Sequence, residues 1–161
     1  MNLTIICASY TGTTYGIAEQ IRNACGGEII EIQSKDLLSR FVAFMARHSP
    51  GMNVRDTGSQ PDNIDLSESD LVVIGTPVWG GKPVPAIRKA LVALTGCRGK
   101  RAVIFATCGE KAGTTLQVLE KDLAAKGMII TGQFSLSKKE IEDGTLVAAL
   151  IAKVQEEADK A

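Results

Sequence analysis

Residues 3–14 read Leu-Thr-Ile-Ile-Cys-Ala-Ser-Tyr-Thr-Gly-Thr-Thr, and this stretch decides the fold. Its first half, 3–8, is an apolar run of strand length, and its second half, 9–14, sets four Ser and Thr hydroxyls around one glycine. After it, Ile17 and Ile21 recur at helical spacing. A strand, a tight turn and a helix start bring free backbone N–H groups and the positive end of the helix dipole to one point. The sequence therefore predicts an anion site at this turn.

The residues of the turn indicate which anion it suits. It is not a Walker A loop, because no lysine follows Gly12, and it is not a dinucleotide fingerprint, because only Gly12 and Gly16 of that pattern are present. Neutral hydroxyls and amides without a fixed cation suit a terminal phosphate monoester better than a pyrophosphate. A helix start capped by Thr13 or Thr14, with no ligand, is the alternative interpretation.

Apolar runs alternate with amphipathic helical patterns along the whole chain. The runs cover residues 3–8, 28–33, 71–75, 101–107 and 128–134. The helical patterns begin near residues 13, 36, 84, 113 and 143. The runs are nearly continuous rather than alternating, which is typical of strands covered on both faces. Five such units predict one α/β domain over residues 1–161, with a doubly wound, five-stranded parallel sheet and helices on both faces.

Composition and charge exclude several function classes. The 18 basic and 18 acidic residues leave a net charge of zero, which predicts neither a nucleic-acid partner nor a membrane partner. No apolar run approaches a membrane span and no secretory leader is evident, so we expect a cytoplasmic protein. The four cysteines are widely scattered without a C-x-x-C pair. We therefore expect neither a metal site nor a disulfide framework.

One stretch, 48–63, has no regular pattern and is long for a connection in a compact domain. We interpret it as a mobile surface loop in preference to a part of a site. His48, the only histidine, follows the second helical pattern. A favourable position at the C-terminus of that helix accounts for it better than acid–base chemistry does.

Three segments are expected to leave the carboxyl ends of neighbouring strands, where open α/β sheets bind ligands. They cover residues 9–14, 75–83 and 107–113. Trp79, the only tryptophan, follows Pro77 and precedes two glycines, so we predict a stacking platform for a planar ring in preference to a core residue. Gly109 and Gly113 would let the backbone of the last segment approach a ligand closely.

A phosphate site beside an aromatic platform and a glycine-rich edge matches the needs of a mononucleotide with a flat ring. At these residues the chain resembles the flavodoxin family. Residues 9–14 match the family's phosphate loop, [ST]-x-T-G-x-T, at every fixed position. Residues 75–81 resemble the G-T-P-V-W-x-G loop of short archaeal-type and bacterial members, and 107–109 resemble the third flavin loop. The resemblance covers essentially the whole chain and implies the strand order 2-1-3-4-5.

The resemblance implies bound FMN, no metal and no catalytic side chain. The implied binding residues are Ser9, Tyr10, Thr11, Gly12, Thr13 and Thr14 around the phosphate, with Thr76, Pro77, Val78, Trp79, Gly80, Thr107, Cys108 and Gly109 around the ring. Trp79 would pack against the isoalloxazine, amides near Cys108 and Gly109 would face its pyrimidine edge, and a carbonyl near Gly80 would meet N5. Two departures stand out: the chain is neutral rather than acidic, and no second aromatic residue is present in 107–113.

The resemblance implies an electron-transfer protein rather than an enzyme in the strict sense, with a reductase as electron donor and an enzyme as acceptor. An FMN-dependent NAD(P)H:quinone-type reductase is the alternative, because one face of the flavin would be open. A receiver-like signalling domain is the third possibility. It would need acidic residues after the first and third strands and a lysine after a later one, where this chain has Ser9, Thr76 and Thr107.

Overall fold

A computed structural model of the chain describes residues 1–32 and 63–161. Three predictions fall outside the described residues. They concern the helix from about residue 36, His48, and the 48–63 stretch apart from its last residue. Within the described part, a parallel sheet forms the centre and helices cover both of its faces. The predicted doubly wound α/β architecture is confirmed.

The order of the elements follows the predicted alternation. The strands are β1 Leu3–Ala8, β2 Glu28–Ile32, β3 Ile64–Asp65, β4 Leu71–Trp79, β5 Lys82–Pro83, β6 Leu94–Thr95, β7 Arg101–Cys108 and β8 Ile129–Ser137. The helices are α1 Thr13–Cys25, α2 Pro85–Val92, α3 Thr115–Ala125, α4 Lys138–Asp143 and α5 Thr145–Asp159. Five parallel strands lie in the order β2-β1-β4-β7-β8. When only these five strands are numbered along the chain, this is the predicted order 2-1-3-4-5. The short strand β5 pairs antiparallel with β4, and β3 pairs with β6 in a separate two-stranded sheet.

The three central strands, β1, β4 and β7, are buried on both faces, which explains their continuous apolar runs. On one face, alternate residues of the strands, such as Ile6 and Ile74, pack with apolar side chains of α2 and α3. On the other face, their neighbours Ile5 and Val73 pack with α1 and α5. Successive side chains of a strand point to opposite faces, so a strand between two helical layers is apolar at most of its positions. None of the described helices is both long and apolar enough to cross a membrane.

The region after β8 differs from the prediction. A single helix was expected from about residue 143, but the short helix α4 precedes it, and α5 begins at Thr145. Ser137 caps α4: its hydroxyl accepts a hydrogen bond from the Glu140 N–H, and the Glu140 carboxylate accepts one from the Ser137 N–H. Gly144 separates the two helices at a φ of 83°, a conformation that favours glycine. The S-x-x-E pattern of this capping box is readable in the sequence.

A buried carboxylate ties α5 to the sheet. Glu157 is 3% exposed, and its carboxylate accepts a 2.9 Å hydrogen bond from the Arg101 guanidinium at the start of β7. The same carboxylate contacts Lys153 Nζ at 2.9 Å and Lys160 Nζ at 3.1 Å. Hydrogen bonds from Lys153 and then Lys160 lower the pKa of Glu157 from 4.5 to about 2. The charged carboxylate is therefore part of the folded structure.

We expect Glu157→Gln to lower the free energy of unfolding at pH 7 by about 1.5–3 kcal/mol, the usual value of hydrogen bonds to a charged group. Because folding lowers the pKa of Glu157, its contribution is complete above pH 4.5 and is lost as the pH falls towards 2. The difference between wild type and variant in urea unfolding should therefore shrink from pH 7 to pH 3. The control is Glu156→Gln, since Glu156 contacts the same two lysines but its side chain is 53% exposed. An equal loss in both variants, or one independent of pH, would contradict this account.

Candidate ligand-binding site

The turn after β1, residues 9–14, is held by its own backbone and by one hydroxyl. Gly12 has a φ of 88° and occupies the N-cap position of α1, so no N-cap side chain is available for the first helical N–H groups. The Ser9 hydroxyl accepts a 3.1 Å hydrogen bond from the Gly12 N–H. Thr11 and Thr13 are exposed, and their hydroxyl oxygens lie 3.3 Å apart. The arrangement leaves donors at a helix N-terminus and differs from the capped start through Thr13 or Thr14 that was the alternative.

Thr14 connects this turn to the end of β7. Its side chain is 1% exposed, and its hydroxyl lies 2.8 Å from the Thr107 hydroxyl. The bond joins the first turn of α1 to the end of β7, between residues that are 93 positions apart in the sequence. This buried hydrogen bond therefore fixes the first and third predicted binding segments relative to each other.

The second segment, predicted as a loop over 75–83, is a β-hairpin. β4 continues to Trp79, Gly80 and Gly81 form the turn, and β5 returns beside it. The two glycines have φ values of 58° and 75°, and a two-residue turn with positive φ at both positions requires such residues. The loop prediction was wrong because the strand does not end with the apolar run 71–75: β4 continues through Pro77 to Trp79, and the Gly80-Gly81 pair forms a hairpin turn.

Thr76 lies beneath this hairpin. It is fully buried, and its hydroxyl donates to the Pro77 carbonyl and accepts from the Val84 N–H. Because both ends of the hairpin contact this hydroxyl, Thr76 fixes the direction in which the hairpin leaves the sheet.

The tip of the hairpin packs against the third segment, residues 107–113, called the third loop below. The Gly81 carbonyl accepts a 2.8 Å hydrogen bond from the Thr114 N–H and a 3.3 Å bond from its hydroxyl. Gly113 has a φ of 58°, and a Cβ there would lie 2.6 Å from the Gly81 Cα. Glycine at position 113 therefore permits this contact. Because the Gly81 carbonyl already accepts hydrogen bonds from Thr114, the Gly80 carbonyl is the better candidate to accept one from a ligand.

Trp79 and Tyr10 form an aromatic pair. Their ring centroids are 4.9 Å apart and their planes differ by 27°, which is a stacked arrangement. Tyr10 is 5% exposed, whereas Trp79 is half-buried at the surface of the core. Tyr10 therefore supports one side of the Trp79 ring, a role that the sequence did not predict.

These segments surround a cavity of about 470 Å³, here called the site cavity. Ten of the predicted residues line it: Tyr10, Thr11, Thr13, Thr14, Pro77, Val78, Trp79, Thr107, Cys108 and Gly109. The other four, Ser9, Gly12, Thr76 and Gly80, belong to the same turn and hairpin but are not part of the wall. The wall also contains Lys138, Ile141 and Glu142 of α4, none of which was predicted. The 9–14 turn itself carries no cation, and α4 adds Lys138 to the cavity that this turn lines.

Comparisons with known proteins identify the fold. No protein-family model and no curated protein matches the sequence. The two-electron reduced flavodoxin of Megasphaera elsdenii has a similar structure, with a TM-score of 0.64, 16% identity and 99% of each chain covered. The chain has the flavodoxin fold.

Two further structures show the range of proteins with a similar fold. A flavoprotein from Lactobacillus acidophilus NCFM in complex with FMN aligns with a TM-score of 0.57 and 21% identity over 88% of this chain and 97% of its own. A protein described as a flavone reductase aligns with a TM-score of 0.61 and 13% identity over 95% of this chain and 60% of its own. Identities this low establish the fold alone.

Within the flavodoxin fold, the site cavity lies where ligands of open α/β sheets are expected. Its walls come from the carboxyl ends of β1, β4 and β7. The chain winds from β1 outwards to β2 on one side and continues through β4 on the other, so the winding reverses beside the cavity.

Cys108 is the thiol in the wall of the site cavity. Burial raises its pKa above 9.0, and its Sγ lies 3.7 Å from the Leu136 carbonyl oxygen, to which it donates. A thiol with a raised pKa is neutral at pH 7 and is a weak nucleophile. Burial therefore favours the neutral thiol of Cys108 over the thiolate.

Proposed function

We propose that this protein binds FMN in the site cavity and transfers electrons between redox proteins, accepting them from a reductase and passing them to an acceptor enzyme. The observation that carries the proposal is the meeting of a hydroxyl-rich turn, an aromatic hairpin and a third loop around one cavity. Its volume of about 470 Å³ lies within the usual range of small-molecule sites, about 300–1,000 Å³. The flavoprotein of similar fold in complex with FMN supports the choice of cofactor.

The donor groups of the site cavity fit the chemical parts of FMN. The phosphate monoester carries a charge of about −1.5 to −2 at neutral pH, and the Thr11 and Thr13 hydroxyls with the first N–H groups of α1 suit it. Trp79 offers an aromatic face to the isoalloxazine, and the backbone at Cys108 and Gly109 suits the pyrimidine edge. Bound FMN would supply reversible one- and two-electron redox chemistry, which its surroundings would tune.

The charges of α4 at the site cavity oppose each other. Lys138 and Glu142 both line it, and neither forms an ion pair within the part of the chain that the structure describes. The lysine attracts a phosphate and the carboxylate repels it. Hydrogen bonds from the turn should therefore supply most of the preference for a phosphorylated ligand.

The chemistry of the wall favours a carrier over an enzyme. A quinone reductase benefits from a positioned general acid or base beside its acceptor. The Cys108 thiol is neutral and hydrogen-bonded, and burial raises the pKa of Tyr10. The described wall contains no histidine, and its carboxylate, Glu142, is exposed.

An FMN-dependent NAD(P)H:quinone-type reductase is the second candidate. The third loop, 107–113, contains no aromatic residue, so a flavin packed on Trp79 would keep its other face open to a small acceptor. The flavone reductase of similar fold is consistent with this possibility. The two candidates differ in whether a small molecule saturates the protein.

We expect Thr11→Ala to weaken FMN binding about tenfold or more and to leave riboflavin binding almost unchanged. A hydrogen bond to a charged group contributes about 1.5–3 kcal/mol, and about 1.4 kcal/mol corresponds to a factor of ten. Titration calorimetry with both flavins measures the effect. Thr95→Ala is the matched control, because Thr95 lies in β6 and outside the site cavity. Equal losses for FMN and riboflavin would remove the phosphate assignment.

With NAD(P)H and a quinone, we expect the purified FMN-loaded protein to show slow turnover that does not saturate. An added flavoprotein reductase should reduce it rapidly. Steady-state kinetics over a range of quinone concentrations distinguishes the candidates. A saturable kcat above about 10 s⁻¹, the typical enzyme median, would replace the carrier by the reductase.

A further inference from the structure

A second concavity shares Trp79 with the site cavity. It has a volume of about 850 Å³ and runs between α2 and α3 beside β5; we call it the basic groove. Trp79 lines both this groove and the site cavity, and no other residue in the described part of the chain is common to the two. An occupant of the basic groove and a ligand in the site cavity would therefore both lie close to the Trp79 side chain.

The charge of the basic groove is strongly one-sided. Four cations line it, and Asp122 is its one carboxylate among the described residues. The cations are Lys82, Arg88, Lys89 and Lys126. The chain as a whole has zero net charge, so the basic groove is a local excess that whole-chain counting hides. Such a local field attracts acidic partners and orients them.

Two of these cations are held in place by the protein itself. Arg88 forms a bidentate pair with Asp122, with nitrogen–oxygen distances of 2.9 and 3.1 Å. Lys126 Nζ donates to the carbonyls of Val92 and Leu94 at 2.7 and 2.8 Å and so stabilises the end of α2. Lys82 and Lys89 are exposed at the rim. These two lysines are therefore the cations best able to meet a partner's carboxylates.

The floor of the basic groove is apolar. Pro83 and Leu91 are buried, Trp79 is half-buried, and Val92 stands at the rim with 77% of its surface exposed. An apolar floor within a basic rim fits a partner surface that has an apolar side chain surrounded by carboxylates. A polyanion without apolar groups would use the rim alone.

We propose that the basic groove binds an acidic protein partner, which presents an apolar side chain among carboxylates. This partner exchanges electrons with FMN bound in the site cavity, close to Trp79. The inference rests on the proposed function. In the transfer, the partner's redox centre loses one electron and the flavin gains it, or the reverse. A hydride donor must touch the ring of its acceptor, whereas an electron crosses a short gap without contact, and the groove shares only Trp79 with the site cavity among the described residues. The basic groove therefore suits a protein redox partner better than a nicotinamide nucleotide.

The test uses the full-length apoprotein, so that it does not depend on FMN. The probe is a twelve-residue peptide of glutamates around one central leucine, titrated into ¹⁵N-labelled protein by NMR. We expect saturable shift changes at the backbone amides of Lys82, Lys89 and Val92, and an affinity that falls severalfold when the salt concentration is raised from 50 to 300 mM. The matched control peptide has lysine in place of every glutamate and should not bind.

Charge reversal identifies the residues responsible. Lys82→Glu combined with Lys89→Glu should weaken peptide binding at least tenfold, and Val92→Asp should weaken it similarly. Lys121→Glu, on α3 but outside the groove, should have an effect of less than threefold. Val92 is exposed, so its variant also serves if the double variant does not fold.

Three results would overturn the docking proposal: no shifts at the groove, an affinity unchanged by the double variant and by Val92→Asp, or equal binding of a single-stranded DNA oligonucleotide, which would indicate a general polyanion site. FMN affinity of the same variants should stay within twofold of wild type. If the peptide binds as expected but FMN does not bind, the groove stands and the proposed function fails. If FMN binds and the peptide does not, the docking proposal fails and the proposed function stands.

Discussion

Gly75 gives Phe105 the space that it needs at the centre of the sheet. The two residues are direct partners on β4 and β7, and any side chain at position 75 would overlap the buried Phe105 ring. Because this pair fits, β4 and β7 stay in register up to Pro77 and Thr107, at the edge of the site cavity. The starting points of the hairpin and of the third loop depend on that register. The packing of the Phe105 ring against Gly75 in the core thus controls the geometry of the site at the ends of these strands.

The three segments then meet through short-range contacts that no single segment contains. The Thr14–Thr107 hydroxyl pair connects the first turn with β7, and the Gly81–Gly113 contact holds the hairpin against the third loop. Tyr10 stacks on Trp79 and so links the first turn with the hairpin. Each pair of segments is joined by at least one such contact, and the site cavity is the space among them.

Much of this arrangement could be predicted from local sequence. The continuous apolar runs predict strands buried on both faces, and the alternation with helices predicts the parallel sheet and its winding. The hydroxyl turn and Trp79 identify the end of the sheet at which the site lies. Tyr10 could not be predicted as the partner of Trp79, because stacking between residues 69 positions apart depends on the tertiary fold. Lys138 differs from Tyr10, because the S-x-x-E pattern at Ser137 does indicate the start of α4 in the sequence. The pattern does not show that this helix lies against the site, which only the fold brings about.

Charge shows the same difference between local and whole-chain information. A net charge of zero suggests a surface that favours neither acidic nor basic partners. In the folded chain, cations gather along the basic groove, and Lys153 and Lys160 surround the buried Glu157 carboxylate. The fold therefore gathers some charges into a cluster around Glu157 and others along the basic groove.

The central claim is that FMN lies against Trp79. Titration of FMN into apoprotein, followed by tryptophan fluorescence, tests it most directly, because Trp79 is the only tryptophan of the chain. Absorption of light by free FMN is corrected with a matched solution of free tryptophan. We predict saturable and nearly complete quenching with one FMN per chain. Emission that is unchanged at a concentration of FMN shown by calorimetry to saturate the protein would place the flavin away from Trp79 and contradict the account.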